Sequence, residues 1–165
     1  MDQLAQVPIT FNHANAGLVA GTTSTYTTTL ASSCSISGLF ATVLTAQTNT
    51  ASPTTDAATG LAFVPVLANQ ASVLVWGVNL AGAIRLAQGS ITPTETGVTT
   101  VVGAFILAPQ FPSLPDDFCP IGMQLVRVSP TGATFTAGTT AWAASGITCS
   151  VIRNLAGLPA RPRTT

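Results

Sequence analysis

The sequence predicts an all-β fold, a single β-sandwich or jelly-roll-like domain of about eight short strands. Three observations predict it. Runs rich in Val, Ile, Thr and aromatic residues recur along the chain, and β-branched residues favour strands over helices. Glycines and prolines punctuate those runs at short spacing. No segment carries an apolar period of the helical kind. Strand order is invisible in such a pattern, so sandwich and jelly roll stay equally open.

Residues 1–20 are mixed, with Pro8, Asn12, Asn15 and Gly17 breaking any period, and read as an extended N-terminal arm that packs on a neighbour or frays. The sandwich is expected over residues 21–155. Thr22–Leu30 is Thr-rich and reads as a strand, with a low-complexity linker as the competing reading. Ile36–Thr45 reads as a second strand with Gly38 as a bulge. Gln47–Gly60 holds Asn49, Ser52, Pro53, Asp56 and Gly60 and reads as a loop. Leu61–Leu67 reads as a strand that Pro65 confines to an edge or bulge.

Val73–Val78, a Gly82-bearing turn and Ala83–Gln88 read as a β-hairpin. Its first strand is apolar on both faces, so both should be covered. Its second alternates, with Ile84 and Leu86 inward and Arg85 outward. Thr99–Ala108 reads as a buried strand, followed by a loop enforced by Pro109, Pro112 and Pro115. Ile121–Val128 reads as a strand that Pro130-Thr131-Gly132 turns into Ala133–Thr136. The last strand is placed at Gly146–Arg153, with Ile147, Cys149 and Val151 on one face. Residues 156–165 hold Pro159 and Pro162 and read as an extended C-terminal tail. Val78…Gly82-Ala83 recurs as Val128…Gly132-Ala133, which is read as shared turn chemistry rather than a duplication.

Charge is the feature that bears on function. Of 165 residues, 47% are hydrophobic and only 6% are charged, against a typical quarter or so. The five basic residues are all arginine and are balanced by five acids, giving zero net charge. A neutral, lysine-free chain has no electrostatic footprint for nucleic acid or anionic lipid. No apolar run approaches the roughly 18–20 residues that span a bilayer, and Met1-Asp2-Gln3 does not open like a secretory signal. Neither nucleic acid nor membrane is therefore expected as a partner. Zero net charge favours association, and obligate interfaces are depleted of charge at their centres. The surface is accordingly expected to be buried against copies of itself or a larger partner, through apolar contacts that salt does not weaken. A monomer with a Thr-rich skin is the bland alternative.

Chemistry is sparse. His13 is the only histidine, and a hydrolytic triad would need it to meet a nucleophile and an acid. Asp116 and Asp117 adjoin Cys119, which loosely suggests a thiol nucleophile, against an ordinary thiol in a proline-bounded loop. Asp56 in Thr54–Gly60 could contribute to a cation site, but capping of its own turn is the stronger reading. Cys34, Cys119 and Cys149 are odd in number and form no close motif pair, so no disulfide framework is expected, and Cys149 reads as a small core hydrophobe. Trp76 reads as core. Trp142 reads as core or interface rather than a sugar platform. No catalytic residue, metal ligand or cofactor-binding residue is assigned, and no cofactor is expected.

Three stretches together carry a resemblance: Thr55–Pro65; Val75–Gly82 running into Ala87-Gln88-Gly89-Ser90; and Leu114–Gly122 continuing through Phe135–Thr140 to Ser145–Thr148. Across roughly residues 20–155 the chain resembles structural proteins of tailed bacteriophages, most closely small β-rich proteins that decorate or cement the capsid. The resemblance implies a non-enzymatic virion protein, made in the host bacterial cytoplasm and seated on the capsid surface. Its implied partners are the major capsid protein and further copies of itself, as a trimer or other cyclic oligomer. Arg161 and Arg163 would pair with capsid carboxylates, with a frayed, solvated tail as the equal alternative. A head-fibre or tail protein that binds host glycans is the alternative reading.

Overall fold

The computed structural model describes residues 9–164. Twelve strands follow one another among them: β1 (Phe11–Asn12), β2 (Leu18–Ala20), β3 (Thr25–Thr28), β4 (Cys34–Ile36), β5 (Leu39–Phe40), β6 (Gln47–Ala51), β7 (Gln70–Val78), β8 (Ile84–Gln88), β9 (Thr92–Pro93), β10 (Cys119–Val128), β11 (Ile147–Cys149) and β12 (Arg153–Asn154). No helix occurs among the described residues. The fold is all-β and sandwich-like.

The strands form three antiparallel sheets. The main sheet runs β11-β10-β7-β8, with β12 also on β10 and β9 on β7; two three-stranded sheets run β1-β4-β5 and β2-β3-β6. β7 and β10 are the two long strands and pair at its centre, Met123 opposite Val75 and Gln124 opposite Leu74. Alternation sends their side chains to two different faces. Leu74, Trp76 and Val78 face a core shared with Leu18 and Tyr26 of one small sheet and Cys34 and Ile36 of the other. Val75 faces the opposite way, into a smaller cluster with Ala87 and Phe118, closed by Phe111, Leu114 and Leu158. The prediction that this strand is covered on both sides therefore holds, and the β7–β8 hairpin forms where expected. In β8, Leu86 is buried and Arg85 exposed. The hairpin turn is closed by Asn79, whose Oδ1 accepts from Ala83 N at 2.9 Å, with Gly82 at φ +75°. In the related turn, Gly132 N donates to Ser129 O at 3.1 Å, as Gly82 N does to Asn79 O at 2.9 Å.

Several boundaries differ from the expectation. From residue 9 onward the stretch read as an arm belongs to the body: β1 pairs with β4, β2 with β3, and Leu18 is fully buried. Asn12, one of its period breakers, is an anchor. Asn12 Nδ2 donates to Leu155 O (3.2 Å), Ser32 Oγ donates to Asn12 Oδ1 (2.7 Å), and Leu18 N donates to Asn154 Oδ1 (2.8 Å). Residues 1–8 of the expected arm lie outside the described residues. Those same bonds tie the C-terminal stretch down. Its chain is irregular, with Leu158 packed on the outer cluster and Pro162 buried.

Gly38 is not a bulge. Ser37 (φ +50°) and Gly38 (φ +81°) are the two central residues of a tight hairpin turn, and Ile36 pairs with Leu39 across it. The expected 47–60 loop begins with β6, which completes the sheet of β3. Leu61–Leu67 and Ala133–Thr136 form no strands and meet instead in an isolated bridge, Val66 to Phe135. The last strand breaks at Ser150, whose Oγ accepts from Leu125 N (3.0 Å), so Val151 turns outward.

The largest departure is Thr99–Ala108. Read as a buried strand, it is an irregular ribbon that bridges Val98 to Val101 and Thr94 to Phe105 and leaves Val101, Ile106 and Leu107 exposed. Gly103 lies so close to the Glu95 backbone that a side chain there would collide with it.

Candidate functional site

Among the described residues no acid, histidine and thiol converge on one site. Cys119 is fully buried at the start of β10, while Asp116 and Asp117 are exposed. Its thiol hydrogen-bonds to that of Cys34, which pushes the Cys119 pKa up and draws that of Cys34 down; burial adds to the rise at Cys119. A thiol held neutral and out of water is a poor nucleophile. All three cysteines are free, and burial pushes the Cys149 thiol up to about 12.

Asp56 is buried and fully used by its own turn. Its Oδ1 accepts from Ala58 N (3.0 Å) and Gln88 N (3.1 Å), and Thr59 Oγ1 donates to its Oδ2 (3.1 Å). The carboxylate thus caps the turn, as expected, and also covers the outer edge of β8. Among the described residues no group of three His, Cys, Asp or Glu side chains is placed to hold a metal ion.

Both tryptophans are core. Trp76 is fully buried and Trp142 is 5% exposed, and they form a chain of ring contacts: Tyr26 to Trp76 (5.5 Å), Trp76 to Trp142 (5.9 Å), Trp142 to Phe135 (5.7 Å). Trp142 Nε1 donates to Thr25 O at 2.8 Å, which fixes the ring. No stacking face is left for a sugar at Trp142.

His13 does meet a hydroxyl. On the outer face of the β1-β4-β5 sheet its Nε2 shares a 2.7 Å hydrogen bond with Ser35 Oγ. Phe11 packs edge-on against the ring at 4.4 Å, and Phe40 lies at 6.1 Å. Strand register explains the grouping, because Phe11, Ser35 and Phe40 are successive cross-strand partners. Among the described residues no carboxylate hydrogen-bonds to His13, so the pair lacks the orienting acid of a triad.

What the surface offers is apolar area. Singly exposed apolar residues are ordinary, but grouped ones mark contacts. Here they fall into groups. The small sheet exposes Ile9, Phe11, Leu39 and Phe40, the last at 85%. The segment after Gly60 exposes Leu61, Val64 and Leu67, held in shape by Gln88, whose side chain bonds both Val64 N and Val64 O at 2.9 Å. The ribbon exposes Val98, Val101, Ile106 and Leu107. Charges sit at the borders. Arg161 and Arg163 line a groove of about 640 Å³ with Ala108, and Asp116 lines another of about 380 Å³ with Thr10 and Ser37.

Sequence reasoning missed these apolar groups because it assigned Leu39, Phe40, Leu61–Leu67 and Val101–Leu107 to strands, and Ile9 and Phe11 to an arm. The Ser37-Gly38 pair was the available signal for the first, since it splits one apparent strand into a hairpin.

Comparison with known proteins returns nothing: no family model, no curated protein and no solved structure matches the chain.

Proposed function

We propose that this chain is a non-enzymatic structural protein of a bacteriophage virion, which decorates and stabilises the capsid by binding the major capsid protein. On this reading it is made in the bacterial cytoplasm and ends on the capsid surface as an oligomer. One observation carries the reading: a body almost without charge presents grouped apolar side chains outward, Phe40 and Leu107 among them, rather than a pocket of convergent polar groups. Such a surface suits permanent contact with another protein. A shell packed with DNA is pushed outward, and a protein that braces it needs broad complementary contacts and no moving parts. The pairing of N- and C-terminal segments through Asn12 and Asn154 gives a body of that rigid kind.

The test is reconstitution. Purified protein is mixed with undecorated capsids of the phage, and the capsids are sedimented. Saturable co-sedimentation is the expected result. Its absence at saturating protein rejects the proposal. The alternative of a glycan-binding fibre or tail protein has lost its most favourable platform with the burial of Trp142.

A further inference from the structure

Two of the three cysteines stand together, and the function proposed above uses neither. Cys34 opens β4 and Cys119 opens β10, so they belong to different sheets. The two strands lie against each other. Both thiols are buried in the inner core, at 2% and 0% exposure, among Leu18, Ile36 and Val78. Their sulfurs are in hydrogen-bond contact. Strand register fixes each backbone, Cys34 against Asn12 of β1 and Cys119 against Val78 of β7. The third thiol is elsewhere: Cys149 sits opposite Val126, towards the far end of β10. The contact also has a direction. The Cys119 S–H donates to Cys34, which favours the Cys34 thiolate and keeps the proton on Cys119.

We propose that Cys34 and Cys119 form a redox lock, a disulfide that closes in the presence of peroxide and ties the β1-β4-β5 sheet to the main sheet. Closure moves each sulfur by roughly 1 Å, from contact to a bond of about 2 Å. Hydrogen peroxide is the oxidant, since it is small enough to reach buried sulfur. Burial makes the reaction slow, and it waits on local opening of the short β1-β4-β5 sheet. The Cys34 thiolate attacks one peroxide oxygen, the O–O bond breaks, and Cys34 becomes a sulfenic acid as hydroxide leaves. Cys119 then attacks the Cys34 sulfur. The S–S bond forms, the S–O bond breaks, and the Cys119 proton leaves with the hydroxyl as water. Two thiols and one peroxide thus give one disulfide and two waters. The inference concerns the fold itself and stands whether or not the chain binds capsids.

The test exposes the reduced full chain to hydrogen peroxide, quenches with catalase, and reads intact mass and a peptide map. The expected product has lost two hydrogens, keeps one thiol for alkylation in denaturant, at Cys149, and yields a cross-linked Cys34–Cys119 peptide. Dithiothreitol should reverse all three changes. The oxidised chain should melt at least about 5 °C higher, because the bond closes a long loop that holds β5 to β9. Cys119→Ser should leave Cys34 as a sulfenic acid that dimedone captures, whereas Cys34→Ser should leave Cys119 unlabelled. The wild-type readings need neither variant to fold. Three free thiols after exposure, a bond that includes Cys149 or joins two chains, a sulfinic acid at Cys34 without cross-link, or an oxidised chain that melts no higher would each overturn the proposal.

Discussion

Replacing Trp142 by alanine asks whether the indole is structural or a binding platform. The ring is 5% exposed and lies between Trp76 and Phe135, at 5.9 and 5.7 Å. Deleting a buried aromatic side chain costs about 3–5 kcal/mol in transfer and cavity terms. The Nε1 bond to Thr25 O is lost too, but that carbonyl also accepts from Gly21 N at 2.8 Å, so it is not orphaned. The lost bond then adds only about 1 kcal/mol, the net value of an ordinary hydrogen bond. The sum is about 4–6 kcal/mol. For a chain of this length that lowers Tm by roughly 8–24 °C. Trp142→Phe keeps the ring contacts and should cost about 1–2 kcal/mol, the hydrogen bond and a little packing. Urea titration followed by circular dichroism measures both. A loss below about 1 kcal/mol for Trp142→Ala would refute the core assignment. Loss of a glycan interaction at unchanged stability would move the ring back to a binding site.

Asp56→Ala leaves the N–H of Gln88 without its acceptor beneath a covered strand edge, and should lower stability by about 2–3 kcal/mol in the same titration. Asp56→Asn keeps one accepting oxygen and should cost less than half as much, and calcium should not move the wild-type midpoint. Gly77→Ala drives a methyl group into the Phe118 ring, an overpacking cost of about 1–3 kcal/mol that Phe118→Leu should partly relieve in a double-mutant cycle. The Cys149 thiol stands at about 12 in the fold against 9.0 for a free thiol. A group raised by folding gives its full stabilisation below the unfolded pKa and loses it as pH rises towards the folded one. Stability should therefore fall through this group as pH rises from 9 towards 12, and Cys149→Ala should flatten that limb. Ellman's reagent should react slowly with the native chain and promptly with all three thiols in denaturant.

The main hairpin was legible because its signals agree at every level. Val73–Val78 is continuously apolar, Asn79 and Gly82 are turn residues, and Ile84-Arg85-Leu86 alternates. The small sheets were legible only in part: β3 falls within the Thr22–Leu30 run and β5 within Ile36–Thr45, but β1, β2 and β6 went unread, since they are two to five residues long and carry little β pattern. Strands of that length form because the main sheet supplies the surface under Leu18, Tyr26 and Ile36, not because their own propensity demands it. The Thr99–Ala108 run failed for the opposite reason. Its composition is that of a buried strand, but the run lies outside the core as a ribbon, with Gly103 close against the Glu95 backbone and Arg127 over the Phe105 ring. Of the residues weighed for function, the Asp56 cap and the core position of Trp142 were legible in their local sequence, whereas the burial of Cys119 beside Cys34 is a property of packing that spacing cannot reveal.

The misread ribbon is itself an argument about function. The core of this protein is complete without it: Trp76, Phe135, Leu74 and Ile121 are already fully buried. Val98, Val101, Ile106 and Leu107 are more than half exposed and, left in water, invite aggregation. The same holds for Leu39 and Phe40 at the end of a two-residue turn. A chain with scarcely any charge to keep its copies apart has the least tolerance for such residues, unless contact is what they are for. The polar chemistry runs the other way, since two thiols are buried and the third half-buried, the Asp56 carboxylate is spent on hydrogen bonds to backbone and Thr59, and His13 meets a hydroxyl but, among the described residues, no acid. On the proposed reading it is these outer faces, not a pocket, that make the contacts.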